Sequence, residues 1–346
     1  MEPLIITIMK KAKEKYLLFI ILICSHLGFN CNSQVSNNNI EKEKLSLISK
    51  ITLPNVTGRI DHISYDALSH LAFIGALGNN TIEVVDINTK QVLKTITGLH
   101  EPQGVAYLPS LGKLLVANGD NGDCIFFDAV SYRQVGIIHL KSDADNIRYD
   151  TTSRLLYVGY GSGAIAVIDA NSMKQVFNIV LEGHPESFQL SKKQNRLYIN
   201  VPDADEVEVA DLSTNKIIAK WKNTSASSNF PMALDDENDR IFIGCRSPAK
   251  IRMISTKTGK DISVVNCSGD ADDVFYSPKE GLVFVSAGKG FVDVYRTNKN
   301  ELTQINHVKT SSGARTSLLL APEKKYLLAV PAYAGNPAAL WIYDID

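Results

Sequence analysis

The sequence predicts an all-β protein, a seven-bladed β-propeller with four strands in each blade. Three observations support this prediction. Short β-rich runs recur every 41 to 44 residues, tight polar turns separate them, and helical periodicity is absent throughout. Four short strands per repeat of this length are typical of a propeller blade. Of the 346 residues 45% are hydrophobic, which provides a large core and excludes wholesale disorder.

The first thirty residues are typical of an export signal. Four lysines between positions 10 and 15 precede the apolar run at 16–24, YLLFIILIC. That run is shorter than the ~20 apolar residues that a membrane-spanning helix needs. We therefore expect a signal peptide over residues 1–30 and a protein that works outside the cytoplasm. An uncleaved anchor helix is the alternative, and Met9 rather than Met1 is the expected start.

Residues 27–31, LGFNC, resemble a bacterial lipoprotein signal, in which a cysteine follows a small residue and becomes lipidated. The resemblance implies lipidation of Cys31, and hence contact with a membrane only through that lipid. Asn30 stands where such signals have a small residue, and ordinary cleavage near this point is the alternative. The polar stretch 31–45 is typical of a tether.

The charge of the chain argues against nucleic-acid binding. Its formal net charge is −1, and removal of the four lysines and two glutamates in residues 1–30 changes this to −3. Phosphate binding needs clustered lysine and arginine. We therefore expect no nucleic-acid partner.

An aspartate recurs near the end of the third strand of successive repeats. Asp86, Asp128, Asp169 and Asp211 are separated by 42, 41 and 42 residues, and Ser255 takes the next position. A short polar stretch and another β-rich run follow each of them. Because an aspartate can hydrogen-bond its own downstream backbone and close a turn, we predict a structural role for these side chains.

Seven inner strands are predicted, one for each blade of a 46–346 domain. They begin near His62, Gly104, Asn146, Ser187, Pro231, Asp273 and Ser317. The seventh repeat has only three strands of its own, whereas residues 45–53, LSLISKITL, form a spare strand before the first blade. We expect this spare strand to complete the last blade from outside and to close the ring.

Two repeats show the blade pattern most fully: residues 71–96, LAFIGALGNNTIEVVDINTKQVLKTI, and residues 155–179, LLYVGYGSGAIAVIDANSMKQVFNI. Both resemble YVTN repeats, the pattern of YncE-like seven-bladed propellers. The resemblance covers residues 46–346 and implies an exported bacterial protein. Related propellers include quinoprotein dehydrogenase subunits and lactonases. It implies a fold rather than a chemistry, because the matching motifs are blade framework.

The loops that enter the inner strands are unusually rich in charged side chains. In a propeller these loops share one face with the loops between the second and third strands. The residues just before the inner strands are Asp61, Gln103, Asp145, Glu186, Phe230, Asp272 and Thr316. Four carboxylates are therefore predicted at the mouth of the central channel, where they repel one another unless nearby cations compensate.

This mixed set of acids, arginines and histidines predicts a site for a small polar ligand or for a segment of a partner protein. The candidate binding residues are Arg59, Asp61, His62, Glu101, Gln103, Asp145, Asn146, Arg148, His184, Glu186, Asn229, Arg246, Asp272, Asp273 and Arg315. Ca²⁺ or another divalent cation is a second kind of ligand for so many oxygens. An internal ion-pair network that only fixes the blades is the alternative.

Two histidines of this set are candidate catalytic residues. Imidazole titrates near neutral pH, so either His62 or His184 could act as a general base. An enzyme, either a hydrolase, a lyase or a quinoprotein-like redox subunit, is therefore the second hypothesis, and a protein-interaction scaffold is the third. No Cys-x-x-Cys-His motif occurs, so no covalent c-type haem is expected. We expect a monomer.

Overall fold

The computed structural model describes residues 44–346, in which every strand belongs to one of seven four-stranded antiparallel sheets. In chain order the strands are β1 (Leu45–Thr52), β2 (Ile63–Asp66), β3 (Leu71–Ala76), β4 (Thr81–Asp86), β5 (Gln91–Ile96), β6 (Pro102–Leu108), β7 (Lys113–Asn118), β8 (Asp123–Asp128), β9 (Gln134–His139), β10 (Ala144–Asp150), β11 (Leu155–Tyr160), β12 (Ala164–Asp169), β13 (Lys174–Val180), β14 (Phe188–Ser191), β15 (Arg196–Val201), β16 (Glu206–Asp211), β17 (Lys216–Lys222), β18 (Ser227–Asp235), β19 (Arg240–Ser247), β20 (Ala249–Ser255), β21 (Asp261–Asn266), β22 (Ala271–Ser277), β23 (Leu282–Ala287), β24 (Phe291–Thr297), β25 (Leu302–Lys309), β26 (Thr316–Leu320), β27 (Lys325–Val330) and β28 (Ala339–Ile345).

Blades 1 to 6 each take four consecutive strands, beginning with β2, β6, β10, β14, β18 and β22 at the channel. Blade 7 has the order β26, β27, β28, β1. In this blade β1 pairs antiparallel with β28, from Leu45 opposite Ile345 to Thr52 opposite Ala339. The structure therefore confirms the predicted seven-bladed fold and the closure of its ring by an N-terminal strand.

Helical structure in the described part of the chain is limited to four single-turn 3-10 helices. They span Leu77–Asn79, Pro109–Leu111, Pro202–Ala204 and Ala321–Glu323. None of the helices between residues 44 and 346 has the length and apolarity to cross a membrane. The predicted signal peptide, the lipidation candidate Cys31 and nearly all of the predicted tether lie outside the described residues.

The recurrent aspartates close turns, as predicted. Asp86 accepts hydrogen bonds from the backbone N–H groups of Asn88 and Thr89 at 2.8 and 3.0 Å. These bonds favour the carboxylate and lower the pKa of Asp86. The same arrangement recurs in the next three repeats, at Asp128, Asp169 and Asp211.

The hydrophobic core is divided among the interfaces between neighbouring blades. One buried cluster, for example, packs Phe73 and Val84 of blade 1 against Leu114 and Val116 of blade 2. Another packs blade 1 against blade 7 and includes Ile51 of β1. The inner strands of the seven blades surround a central channel.

Candidate functional site at the channel mouth

Irregularities near the start of several inner strands orient the candidate side chains. In β10 the register shifts between Ala144 and Ile147, so that Asp145 and Asn146 lie in a bulge. The same shift occurs at the start of β6, β18 and β22. An extra residue bends a strand and redirects its side chains, and such bulges are common next to binding sites. These strands consequently begin two to four residues before the predicted positions.

Gly104 allows the backbone of β6 to approach the backbone of the next blade closely. A Cβ atom added to Gly104 would lie 2.1 Å from the carbonyl oxygen of Asp145 in the next blade. The obstructing atom belongs to the backbone, which cannot move aside as the end of a flexible side chain can. The bulge in β6 therefore rests directly against the bulge that carries Asp145.

The mouth of the channel is a small polar cavity of about 20 Å³. This volume is enough for one water-sized group. Its lining residues are Arg59, Asp61, His62, Asp145, Asn146, Glu186, Ser187, Phe230, Asp272 and Asp273. Eight of these ten are candidate binding residues from the sequence, and the ten come from five different blades.

Two buried carboxylates at the mouth have oxygens without aligned hydrogen-bond donors. Asp61 and Asp145 are only 3% and 6% exposed. Within the described residues, Asp61 Oδ2 and Asp145 Oδ1 accept no hydrogen bond of good geometry. Arg59 Nη2 lies 2.6 Å from Asp61 Oδ2, and His62 Nε2 lies 3.4 Å from Asp145 Oδ1, as ion pairs without that alignment. Buried polar atoms normally accept an aligned hydrogen bond, so each of these ion-paired oxygens retains the capacity to accept one from a ligand.

Burial strongly affects the acids of the mouth. It raises the pKa of Asp61 to about 7, despite the opposing charges of His62 and Arg59. It also raises the pKa of Asp273 and of Glu186 to about 7. Desolvation disfavours a charged carboxylate, and the acids raise one another's pKa by repulsion. A donor or a cation brought to the mouth would relieve both effects.

Asp145 and His62 form the charged pair at the centre of this site. Burial opposes the charge on His62, but the Asp145 interaction and the charges of Asp61, Asp145 and Asp273 outweigh it and raise the pKa of His62 to about 10. Although burial of Asp145 acts in the opposite direction, His62 lowers the pKa of that acid. We therefore treat the pair as an imidazolium and a carboxylate at neutral pH.

Two arginines brace the mouth from blades 5 and 7. Arg315 contacts Asp270 at 2.9 Å and Asp272 at 3.0 Å. Arg246 pairs with the same two acids, and its guanidinium lies 3.6 Å from the ring centre of Phe230. Stacking of this kind orients an arginine. This network links blades 5, 6 and 7 and already satisfies its charges.

His184 lies beside the mouth but is held by its neighbours. Its Nδ1 donates to the Gly161 carbonyl at 2.6 Å and lies 3.4 Å from Asp143. Burial opposes its charge, but the Gly161 bond and the charges of Asp143, Asp145 and Glu186 raise its pKa. The ring is thus fixed with Nδ1 as the donor.

Three further sequence candidates, besides the bracing arginines and His184, also lie outside the lining of the mouth. Gln103 turns away and donates to Asp143 Oδ1 at 3.0 Å. Glu101 is exposed and has the left-handed φ of 51°, while its N–H donates to Asn80. Asn229 is fully buried and its side chain bonds Asn200 and the backbone of Glu206. Local contacts therefore give these residues structural partners in place of a ligand.

Below the mouth the central channel widens into a cavity of about 390 Å³. All seven inner strands contribute to its wall, and His62, Ser187 and Asp273 line both this cavity and the mouth. The candidate Arg148 lies in this lower cavity and not at the mouth. Ligand cavities in proteins commonly have volumes of ~300–1,000 Å³.

The predicted cation finds no ready site. Between residues 44 and 346, no three His, Cys, Asp or Glu side chains are grouped in a way that could hold a metal ion. A metal ion is therefore not proposed as the ligand of the mouth.

Several residues of the site are not among the candidates predicted from the sequence. Asp270 bridges both arginines, and Ser187 and Phe230 line the mouth. Phe230 and Asp270 occupy entry loops that the pattern had already marked as charged or unusual. Ser187 marks the predicted start of an inner strand, but a single serine carries no signal of its own.

Comparison with known proteins identifies the fold. No family model matches this chain. A chain of the Kuenenia stuttgartiensis hydrazine synthase superposes with a TM-score of 0.71 at 16% identity, over 83% of this chain and 96% of that chain. A chain of a mitotic checkpoint complex superposes with a TM-score of 0.74 at 13% identity, over 91% of this chain and 97% of that chain. At these identities the two similarities show that the protein has a β-propeller fold.

Proposed function

We propose that this protein is a binding module whose channel mouth accepts one hydrogen-bond donor group, either from a small polar ligand or from a partner segment. The observation that carries the proposal is the pair of buried carboxylate oxygens, Asp61 Oδ2 and Asp145 Oδ1, that accept no aligned hydrogen bond. An aligned hydrogen bond to a charged acceptor contributes about 1.5–3 kcal/mol, which a ligand that donates to either oxygen would gain.

The size and charge of the mouth narrow the donor group. The cavity has room for one group of the size of water, such as a hydroxyl or an ammonium. The raised pKa values of Asp61, Glu186 and Asp273 favour a partner that brings positive charge. An ammonium group, such as the end of a lysine side chain, meets both requirements.

The test is calorimetric titration of the full chain with N-acetyl-lysinamide and with N-acetyl-norleucinamide, which lacks the amine. We expect the lysine compound to bind more tightly, and Asp61→Asn and Asp145→Asn to weaken it about tenfold each. Glu237→Gln is the matched control, because Glu237 is an exposed acid of an opposite-face turn. Equal binding of the two compounds, or none by either, would leave the mouth a structural network.

Export and membership of the YncE-like family belong to the same proposal. They rest on the N-terminal lysine cluster and apolar run and on the YVTN-like repeats. Expression of the full chain in a bacterium, followed by fractionation and mass spectrometry, tests export. A mature N-terminus at or near Cys31 is expected, carrying lipid on Cys31 if the lipoprotein signal operates. A full-length protein in the cytoplasm would contradict export.

A protein-interaction scaffold is the second candidate, and the outer strands favour it. Phe177 and Val180 of β13 are 57% and 71% exposed, and Ile218 of β17 in the next blade is 50% exposed. Exposed apolar side chains on edge strands are common sites of protein contact. Phe177→Lys should then abolish partner binding, whereas Asp61→Asn should not, and the opposite result favours the channel mouth.

A further inference from the structure

Arg148, in the wall of the lower channel cavity, is a half-buried cation without an acidic partner. Its guanidinium donates to Asn146 Oδ1 at 3.2 Å, to the Ile147 carbonyl at 2.8 Å and to Ser187 Oγ at 3.3 Å. All three acceptors are neutral. Among the described residues no carboxylate oxygen lies within 4.0 Å of it.

This isolation distinguishes Arg148 from the more deeply buried arginines of the described residues. Arg240 pairs with Asp235 at 2.5 Å, and Arg252 pairs with Asp261 at 2.8 Å. Buried charges in proteins are normally paired, because an unpaired charge is costly to desolvate. Burial accordingly lowers the pKa of Arg148, although Asp273 and Asp145 oppose this from a distance.

The guanidinium is also held in place for recognition. Its carbon lies 5.5 Å from the ring centre of Phe188, and its three hydrogen bonds fix the fork. Five N–H donors are available to an arginine, and not all of them are used by these contacts. The planar fork suits a carboxylate, which can accept two parallel bonds.

The rest of the cavity combines a second cation with an apolar wall. His62, which is positively charged at neutral pH, lines the same space. The only acid in the lining is Asp273, and its Oδ2 already accepts the Ser317 N–H at 2.6 Å. The apolar lining includes Val105, Ile147, Met232, Val274, Phe275 and Leu318. An inorganic anion would leave these surfaces without contacts, whereas an organic acid would cover them.

We propose that the lower channel cavity binds a small organic carboxylate, with its carboxylate on Arg148 and its carbon skeleton against the apolar wall. This site is distinct from the donor-accepting mouth. It favours a ligand of the opposite charge, and Arg148 lines the lower cavity and not the mouth.

The test is titration of the full chain with phenylacetate, with its neutral isostere phenylacetamide and with inorganic phosphate. We expect phenylacetate to bind at least tenfold more tightly than either of the others, because only it combines the charge with an apolar body. Equal binding of phenylacetate and phenylacetamide, tighter binding of phosphate, or no binding of phenylacetate at millimolar concentration would overturn the proposal.

Variants locate the site. Arg148→Gln should reduce phenylacetate binding to the level of phenylacetamide, and Arg148→Lys should retain part of the difference. Arg154→Gln is the matched control, because Arg154 is exposed in a turn and contacts Asn171. Unchanged phenylacetate binding in Arg148→Gln would contradict the proposal. A crystal grown with 4-bromophenylacetate gives an independent readout, since anomalous scattering from bromine outside the channel would also overturn it.

The proposals for the mouth and for the lower cavity can be tested independently of each other. Glu186→Gln should weaken binding of N-acetyl-lysinamide at the mouth and leave phenylacetate binding unchanged, because Glu186 lines the mouth and not the lower cavity. Loss of one activity without the other therefore tests one site at a time.

Discussion

At the scale of single residues, the channel mouth holds acids in an environment that opposes their charge. Asp61 is almost completely buried, its Oδ2 lacks an aligned donor, and its pKa is raised to about 7. A carboxylate that serves only stability has its oxygen hydrogen-bonded by aligned donors, as that of Asp86 is. Residues that reduce the stability of the unliganded fold are characteristic of binding sites.

Asp61→Asn should make the stability of the protein less sensitive to pH. The folded-state pKa of Asp61 lies above its ordinary value of 3.8, so the folded protein holds a proton that the unfolded chain has lost. Stability from this group is complete below pH 3.8 and decreases as the pH rises to about 7. Urea unfolding at pH 4.5 and 7.5 should show a decrease on the order of 1 kcal/mol or more in the wild type that is smaller in the variant. An equal decrease in both proteins would contradict the assignment.

His62 should remain protonated well above neutral pH. Its pKa is raised to about 10 because Asp145, Asp61 and Asp273 surround it. The stability that this charge contributes is present below pH 6.5 and decreases as the pH rises towards 10. NMR titration of the ring resonances measures this directly. A midpoint near 10 removes His62 as a general base at neutral pH, whereas a midpoint below 7 would restore the enzyme hypothesis.

At the scale of secondary-structure elements, bulges in the inner strands orient the site. The bulges in β10, β18 and β22 place Asp145, Phe230 and Asp272 at the mouth. The bulge in β6 instead allows Gln103 to bond Asp143. The left-handed backbone at Asp143, Ser228 and Asp270, two residues before Asp145, Phe230 and Asp272, marks the entry to three of them. Non-glycine residues in this conformation carry strain, which clusters at functional sites.

Gly104→Ala should disturb both the fold and the mouth. The added Cβ would lie 2.1 Å from the Asp145 carbonyl oxygen, so the two bulges must separate. We expect a loss of about 3 kcal/mol or more in the free energy of unfolding and weaker binding of N-acetyl-lysinamide. Gly112→Ala is the control: its surroundings are open and its φ is 57°, so only about 1–2 kcal/mol of backbone strain is expected, with binding unchanged. Similar losses in both variants would contradict the close-packed bulges.

At the scale of the whole molecule, the ring is closed by one N-terminal strand. Leu45 and Ile51 of β1 are buried in the two interfaces on either side of blade 7. Opening the ring would expose these interfaces and leave the outer edge of β28 unpaired. Closure removes that edge and gathers seven inner strands into one channel.

Ile51→Ala should destabilise the whole propeller by about 2–5 kcal/mol, as large-to-small changes in a core do. Ile48→Ala in the same strand is the matched control, because Ile48 is 46% exposed and should cost far less. Urea unfolding followed by circular dichroism and by the fluorescence of Trp221 and Trp341, in blades 4 and 7, should give coincident transitions. Separate transitions, or equal losses in the two variants, would show that closure by β1 does not support the ring.

The sequence by itself determined the number of blades, the spare strand that closes the ring and the turn aspartates. These features depend on two local patterns. One is the repeated alternation of short β-rich runs and polar turns, and the other is an aspartate that hydrogen-bonds its own downstream backbone. It also indicated that Asp61, Asp145, Glu186 and Asp272 share one face, because the position of a loop in the repeat sets its face.

Only the tertiary structure decided which of these side chains meet. Gln103 occupies the same position in its repeat as Asp145, yet it bonds Asp143, and Arg148 faces a separate cavity below the mouth. Gln103 and Asp145 lie in bulges of the same kind, so their different directions are set by contacts with residues distant in the chain, such as that of Gln103 with Asp143. Whether a charge in the channel wall finds a partner is likewise settled by residues far away in the chain, which is why the isolation of Arg148 emerges only in the folded ring.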